Sequence, residues 1–282
     1  MTTTVTITGT GCPIPMADRA GPGVLVRHGD LHLQFDAGRS TVMRLIGAES
    51  SPGQLSAVFL THHHSDHTTG LEDLVLTRWV MDRGDRLDPL PIVAPAGPAV
   101  TFAERLLDVW ADDLAVRQHH TGREQGPRIE VVPFPEPVDV AEVWRHGDVV
   151  VKAGQVRHEP VRPAVGYRVE TPDGVVAITG DTLVCDEVAE LADGADVLVY
   201  EALRFSAVPP DAPNAFILDY HADTARIGEQ AATLGTPTLV LTHLIPPPRD
   251  ERDEQSFVDD VRGGGFEGEL IVARDLTTVT LG

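Results

Sequence analysis

The chain has 282 residues and a formal net charge of −21, and all of its basic residues are arginines except Lys152. A field of that sign repels polyanions at long range, which disfavours a nucleic-acid partner unless a local basic patch exists. The two cysteines, Cys12 and Cys185, form no CxxC and lie far apart, which excludes a disulfide scaffold and a zinc ribbon. No segment approaches the roughly 20 apolar residues needed to span a bilayer, and "MTTTVTITGTG" has no basic or apolar leader. A cytoplasmic protein with no membrane partner is therefore expected, as one domain over residues 1–282.

The first forty residues, "TVTITGTG" and "GVLVRHGDLHLQFDAG", alternate apolar positions around the turn "HGD" and predict a β-meander. "STVMRLIGAE" has helical spacing, "LSAVFL" is a short buried strand, and the histidine-rich "THHHSDHTTG" (61–70) is the loop leaving it. "LEDLVLTRWVMDRG" predicts a helix closed by Gly84, "LPIVAPAGPA" a strand and turn, and "VTFAERLLDVWADDLA" an amphipathic segment. Short strands return in "PRIEVVPFPEP", "DVVVKAGQVRH" and "AVGYRVETPDGVVAITGDT", so the second half opens much as the first does. "ADVLVYEAL", the helix "ADTARIGEQAATLG", the strand "TPTLVLTH" and a final strand pair near "ELIVARD" and "TTVTL" follow, with "PPPRDERDEQ" read as a solvated loop. Meanders at the start of each half and helices between later strands predict two face-to-face sheets with helices outside, an αββα sandwich. The opening meander disfavours the alternative, a doubly wound parallel fold.

Side chains alternate in direction along an extended segment, so His62 and His64 point one way and His63 the other. A turn after them could aim Asp66 and His67 at a second point. A catalytic zinc takes three or four N or O ligands and keeps a position for water, so the loop alone cannot complete two sites. His158, Asp181 and His243 each follow an apolar strand and are the candidates to complete them. With Asp181 as a bridge, His62, His64 and His158 accommodate one metal, and Asp66, His67 and His243 the other. Asp36 reads as a support for a metal-bound histidine. His28, His32, His119, His120 and His146 are expected at the surface, and Arg249 in a surface loop.

The ordered set "THHHSDH", "RHEPVRPAVGYR", "TGDT", "YEA", "HADT" and "LTH" resembles the metallo-β-lactamase superfamily, and within it the ribonuclease Z and arylsulfatase-like branch. "GTGCPIP" and "LQFDAG" extend the likeness over nearly the whole chain. The resemblance implies the αββα fold and a centre of two Zn2+ or other divalent ions on the same seven residues, with Asp181 bridging. It further implies that Glu201 and His221 form a supporting pair, with His221 facing the scissile group. Three departures from ribonuclease Z stand out: Tyr200 and Leu203 replace residues of a His-Glu-Ala-Thr motif, and "HADT" lacks the serine after His221. Only about ten residues separate "GYR" from "TGDT", too few for the long arm with which many ribonucleases Z grip tRNA.

The expected function is a dizinc phosphodiesterase resembling the 3′-tRNA-processing endonuclease. Asp66 would orient the attacking water, and His221, set by Glu201, would protonate the leaving oxygen. The alternatives are a hydrolase of the same fold acting on an aryl sulfate, lactone or other small ester, and a metal-binding protein without turnover. The substrate would accordingly be RNA or a small phosphodiester or ester, and a homodimer is the assembly the resemblance suggests.

Overall fold

The computed structural model describes residues 2–282. Alternating apolar positions place β1 (Thr3–Gly9), β2 (Gly23–His28) and β3 (Leu31–Phe35) in an antiparallel meander. The chain then passes through α1 (Thr41–Gly47), β4 (Ala57–Phe59), α2 (Ser65–Thr68) and α3 (Leu71–Met81). It continues into β5 (Leu90–Pro95), α4 (Pro98–Arg105), α5 (Ala111–Thr121) and β6 (Ile129–Phe134). Strands β3 to β6 run parallel, as strands linked through helical crossovers must.

The second half repeats the plan. Strands β7 (Ala141–His146), β8 (Val149–Gln155), β9 (Val165–Thr171) and β10 (Gly174–Ile178) form an antiparallel meander. After it come α6 (Asp186–Ala192), β11 (Val197–Leu203), α7 (Thr224–Leu234), β12 (Thr238–Ile245), α8 (Glu251–Gly263) and β13 (Glu269–Val272). Strands β10 to β13 run parallel, and β14 (Thr278–Leu281) crosses back to pair with β1. Two seven-stranded sheets result, ordered β14-β1-β2-β3-β4-β5-β6 and β13-β12-β11-β10-β9-β8-β7.

The inward faces of the sheets share one core, in which Phe35 stacks on Phe59 with centroids 4.7 Å apart and Tyr167 packs against both. The buried Tyr167 hydroxyl donates to the Leu60 carbonyl at 2.7 Å, tying the second sheet to the end of β4, where the histidine-rich segment starts. Outside, α1, α3 and α4 cover one sheet and α6, α7 and α8 the other. The architecture is the four-layer αββα sandwich. No helix among the described residues is long and apolar enough to cross a membrane.

Several local expectations are corrected. "PPPRDERDEQ" is not all loop: α8 begins at Glu251, where the Asp250 carboxylate accepts the backbone N–H groups of Arg252 and Asp253 at 2.9 and 3.0 Å. Phe257 and Val261, one turn apart, bury the inner face of that helix. The last two strands do not pair with each other. The Asp275 carboxylate between them accepts from the backbone of Thr10 and Ala20 and from Arg44, and this anchors the crossing from one sheet to the other. The amphipathic segment after β5 breaks at Leu106–Leu107 into α4, a short 3-10 turn and α5. Helix α3 ends at Met81, three residues before Gly84, and Asp82 caps the following turn by accepting from the backbone of Arg86 and Leu87. His32 is buried rather than exposed, with Nδ1 2.7 Å from the Ser50 hydroxyl, and His119 and His120 lie on α5.

Candidate metal centre

The parallel strands of both sheets end at one edge, and there the chain delivers the chemistry-bearing side chains. After β4 the chain bends at Thr61, His64 is extended, and residues 65–68 close into the single turn of α2, which brings the His67 ring to 4.2 Å from that of His62. Gly70 and Gly38 make this fold-back possible: a Cβ on Gly70 would be driven into the Gly38 carbonyl oxygen. His158 follows β8, Asp181 follows β10, Glu201 lies within β11, and His243 lies within β12.

His243 sits where the β11–β12 register slips: Thr242 faces Glu201 and Leu244 faces Ala202, leaving His243 as the extra residue. Its φ of 46° is left-handed, an uncommon state for a non-glycine residue, and the bulge turns its imidazole toward the strand ends. Asp36, at the end of β3, has a φ of 54° and so also carries backbone strain at this site.

The structure brings all seven candidate ligands together. His62, His64, His158 and Asp181 have ligand atoms within 4.8 Å of one another, and so do Asp66, His67 and His243. Asp181 lies between the groups: its Oδ2 is 3.3 Å from His67 Nε2, 3.4 Å from His243 Nε2, and 3.9 Å from Nε2 of both His62 and His158. Asp66 Oδ2 is 3.3 Å from His243 Nε2 and 3.8 Å from His67 Nε2. His63 belongs to neither group.

Behind the rings, partners fix which nitrogen faces inward. His67 Nδ1 is 2.7 Å from Asp36 Oδ2, and the same carboxylate oxygen accepts from the Thr61 hydroxyl at 2.8 Å. Since Thr61 donates to Asp36, it is left to accept from His62 Nδ1 at 2.9 Å. His158 Nδ1 donates to the Tyr220 carbonyl at 2.9 Å. Each contact directs an Nε2 atom into the cluster, the arrangement of histidines that bind metal. The buried Nε2 atoms of His62 and His67, and Oδ1 of Asp181, have no hydrogen-bond partner in the protein. Buried polar atoms are seldom left so, and cations held by the two ligand groups would satisfy them. The donor set of imidazoles and carboxylates suits a divalent metal.

Electrostatics follow the same division. Burial, reinforced by the neighbouring imidazoles, keeps His62 well below its ordinary pKa, and burial lowers His64 and brings His158 down to about 4. These rings are therefore neutral and able to ligate. Burial disfavours the charged form of His67 too, but Asp181 and Asp36 outweigh it and hold the ring well above its usual value. Burial likewise disfavours the Asp181 carboxylate, and the imidazoles of His243 and His67 override it, keeping the acid ionised.

His221, in the turn before α7, joins the cluster's edge near Asp181 and His243. Its Nδ1 is 2.8 Å from Glu201 Oε1, which also accepts the backbone N–H groups of Thr182 and Ala222. Burial opposes the charge on His221, while Glu201 raises its pKa to about 9. Sequence reasoning missed Thr61 and Tyr220. Thr61 carries no signal except its place one residue before the first histidine, and Tyr220 acts through a backbone carbonyl, which no motif reveals.

Known proteins share the family and the fold of this chain. Residues 33–244 match the model of the beta-lactamase superfamily domain. The chain is 38% identical over 280 residues to a ribonuclease Z of Mycolicibacterium gilvum (strain PYR-GCK), covering 98% of this chain and 95% of that one. It resembles in fold a metallo-beta-lactamase fold protein from Bacillus subtilis, at a TM-score of 0.74 and 20% identity over 99% of this chain and all of that one. The short form of human tRNase Z is similar at a TM-score of 0.68 and 21% identity, covering 99% of both chains. With the fold, the clustered His and Asp donors and these likenesses in hand, the chain belongs to the beta-lactamase superfamily and, within it, to the ribonuclease Z family of metal-dependent hydrolases.

Proposed function

We propose that this chain is a dinuclear zinc phosphodiesterase, and that 3′ processing of precursor tRNA is the version its relatives suggest, carried out in the cytoplasm by a homodimer. The observation that carries the reading is Asp181 Oδ2 placed within 3.9 Å of four imidazole nitrogens drawn from both ligand groups. A carboxylate in that position suits a bridge between two cations.

His62, His64 and His158 would hold one ion, Asp66, His67 and His243 the other, and Asp181 both. Ions held there supply Lewis acidity toward the phosphoryl oxygens and the attacking water. Asp66, whose Oδ2 lies 3.3 Å from His243 Nε2, would hold the ion through that oxygen and orient the attacking water through the other. His221 donates its Nδ1–H to Glu201, and the ring that this carboxylate keeps protonated carries a second proton at Nε2, which it delivers to the departing oxygen. Glu201 keeps the imidazole charged and fixes its direction.

A small phosphodiester is the second reading, favoured by the hairpin between β9 and β10. Thr171 pairs directly with Gly174, so only Pro172 and Asp173 connect these strands where a tRNA-gripping arm would have to emerge. The test compares precursor tRNA with bis(p-nitrophenyl) phosphate on zinc-loaded protein. Turnover of either substrate is expected to vanish in His64→Ala together with most of the metal. His221→Ala should keep its metal and slow by about 10²–10⁴-fold, as for loss of a general acid. Full metal and full rate in both variants would sink the proposal.

A further inference from the structure

Beside the candidate metal ligands His64 and His158 opens a cleft of about 410 Å³, and its walls differ sharply in character from those expected around a polyanion. One wall comes from the segment between β11 and α7, which sets the exposed ring of Phe216 6.3 Å from that of Tyr220, inclined at 34°. Tyr220 in turn stands edge-on to His158 with ring centroids 5.1 Å apart, and its carbonyl anchors that histidine. Val161 supplies an apolar floor, and the rim carries Glu159 and Asp219. No Lys or Arg is among the lining residues described, and the arginines flanking Glu159 in sequence, Arg157 and Arg162, are turned to Glu187 and Glu136.

We propose that this cleft is a specificity subsite for a flat aromatic or heteroaromatic arm of a small ester, and that it rejects arms bearing further negative charge. The inference rests on the phosphodiesterase assignment above in its second version, a small phosphodiester, and not on the tRNA version. Three properties converge on it. The volume lies in the range of small-molecule sites. Two tilted rings give a surface on which a planar group gains offset or edge contacts, and Phe216 is exposed with no partner ring besides Tyr220. Two carboxylates at the rim raise the energy of any second anionic group entering beside the reacting phosphoryl. Because Tyr220 packs on His158 and both line the cleft, an arm seated here lies directly beside a candidate metal ligand.

The test reads binding and not only turnover. Zinc-loaded protein is titrated calorimetrically with phenylphosphonate, methylphosphonate and 4-carboxyphenylphosphonate, and hydrolysis of bis(p-nitrophenyl) phosphate is measured in parallel. Phenylphosphonate should bind about tenfold or more tightly than methylphosphonate, a gap of the size aromatic contacts supply. Phe216→Ala, at an exposed position, should reduce that gap to about threefold or less. The 4-carboxy probe should bind more weakly than phenylphosphonate, and Asp219→Asn should recover most of the loss. Equal binding of phenyl and methyl probes, or a gap that Phe216→Ala leaves intact, overturns the subsite. Tighter binding of the carboxylated probe, the behaviour of a site built for polyanionic RNA, also overturns it. Phenyl preference without diester hydrolysis would instead reject the phosphodiesterase assignment and leave the cleft's selectivity standing.

Discussion

Thr61 shows how much of the centre depends on residues that touch no ligand atom. Its hydroxyl donates to Asp36 and accepts from His62, while Asp36 also holds His67, so one buried chain orients a histidine of each ligand group. Thr61→Val keeps the shape and breaks the chain. Metal affinity measured by chelator competition should fall about 10–100-fold, as when supporting contacts of metal-bound histidines are lost. Unchanged affinity would show that packing alone sets the His62 ring. Cys12 tests the environment beside the site in another way. Burial pushes its thiol up to about 11, so the thiolate is scarce at pH 8 and alkylation of the native protein by iodoacetamide should lag far behind that of a free thiol. Rapid native-state labelling would contradict this.

His32 links a residue to acid stability. Burial, and next to it the nearby Arg27, lowers its pKa from 6.5, so the unfolded chain takes up this proton before the folded one does. Its contribution is intact above pH 6.5 and is lost as pH falls from there through the lowered folded value. Melting of His32→Asn should therefore drop less between pH 7.5 and pH 5 than melting of the parent. An equal or larger drop would place the acid sensitivity elsewhere.

At the scale of elements, the α8 cap is directly testable: Asp250→Ala removes the acceptor for two backbone N–H groups and should cost about 1 kcal/mol, visible as a lower denaturation midpoint. No change would mean that the burial of Phe257 and Val261 holds the helix without its cap. The signature of this helix lay in the sequence, in Asp250 followed by acidic residues, and was obscured by the prolines and charges around it. Other features carried no such signature. The left-handed bulge at His243 depends on the register between β11 and β12, a long-range property. The separation of the last two strands likewise depends on which sheet edge each finds free. By contrast, the meanders and the spacing His62-x-His64-x-Asp66-His67 follow local rules of alternation and turn, and were legible as such.

Across the whole molecule, two half-domains of the same plan meet so that the carboxyl ends of their parallel strands face one another, and each ligand group draws on both sheets. The αββα arrangement was legible because apolar periodicity and strand order report on layers. The substrate-facing surface was not, because Phe216, Tyr220, Glu159 and Asp219 come together only after the segment before α7 folds over the strand ends. On the proposed function, Asp181 joins two metal ions into one phosphodiester-cleaving centre. Elemental analysis of the purified, zinc-equilibrated protein and its Asp181→Asn variant, with bis(p-nitrophenyl) phosphate turnover on the same samples, tests it most directly. Two ions per chain are expected in the parent, and no more than one, with turnover reduced by at least about 10²-fold, in the variant. Two ions and an undiminished rate in Asp181→Asn, or turnover by a parent holding no metal, would contradict it.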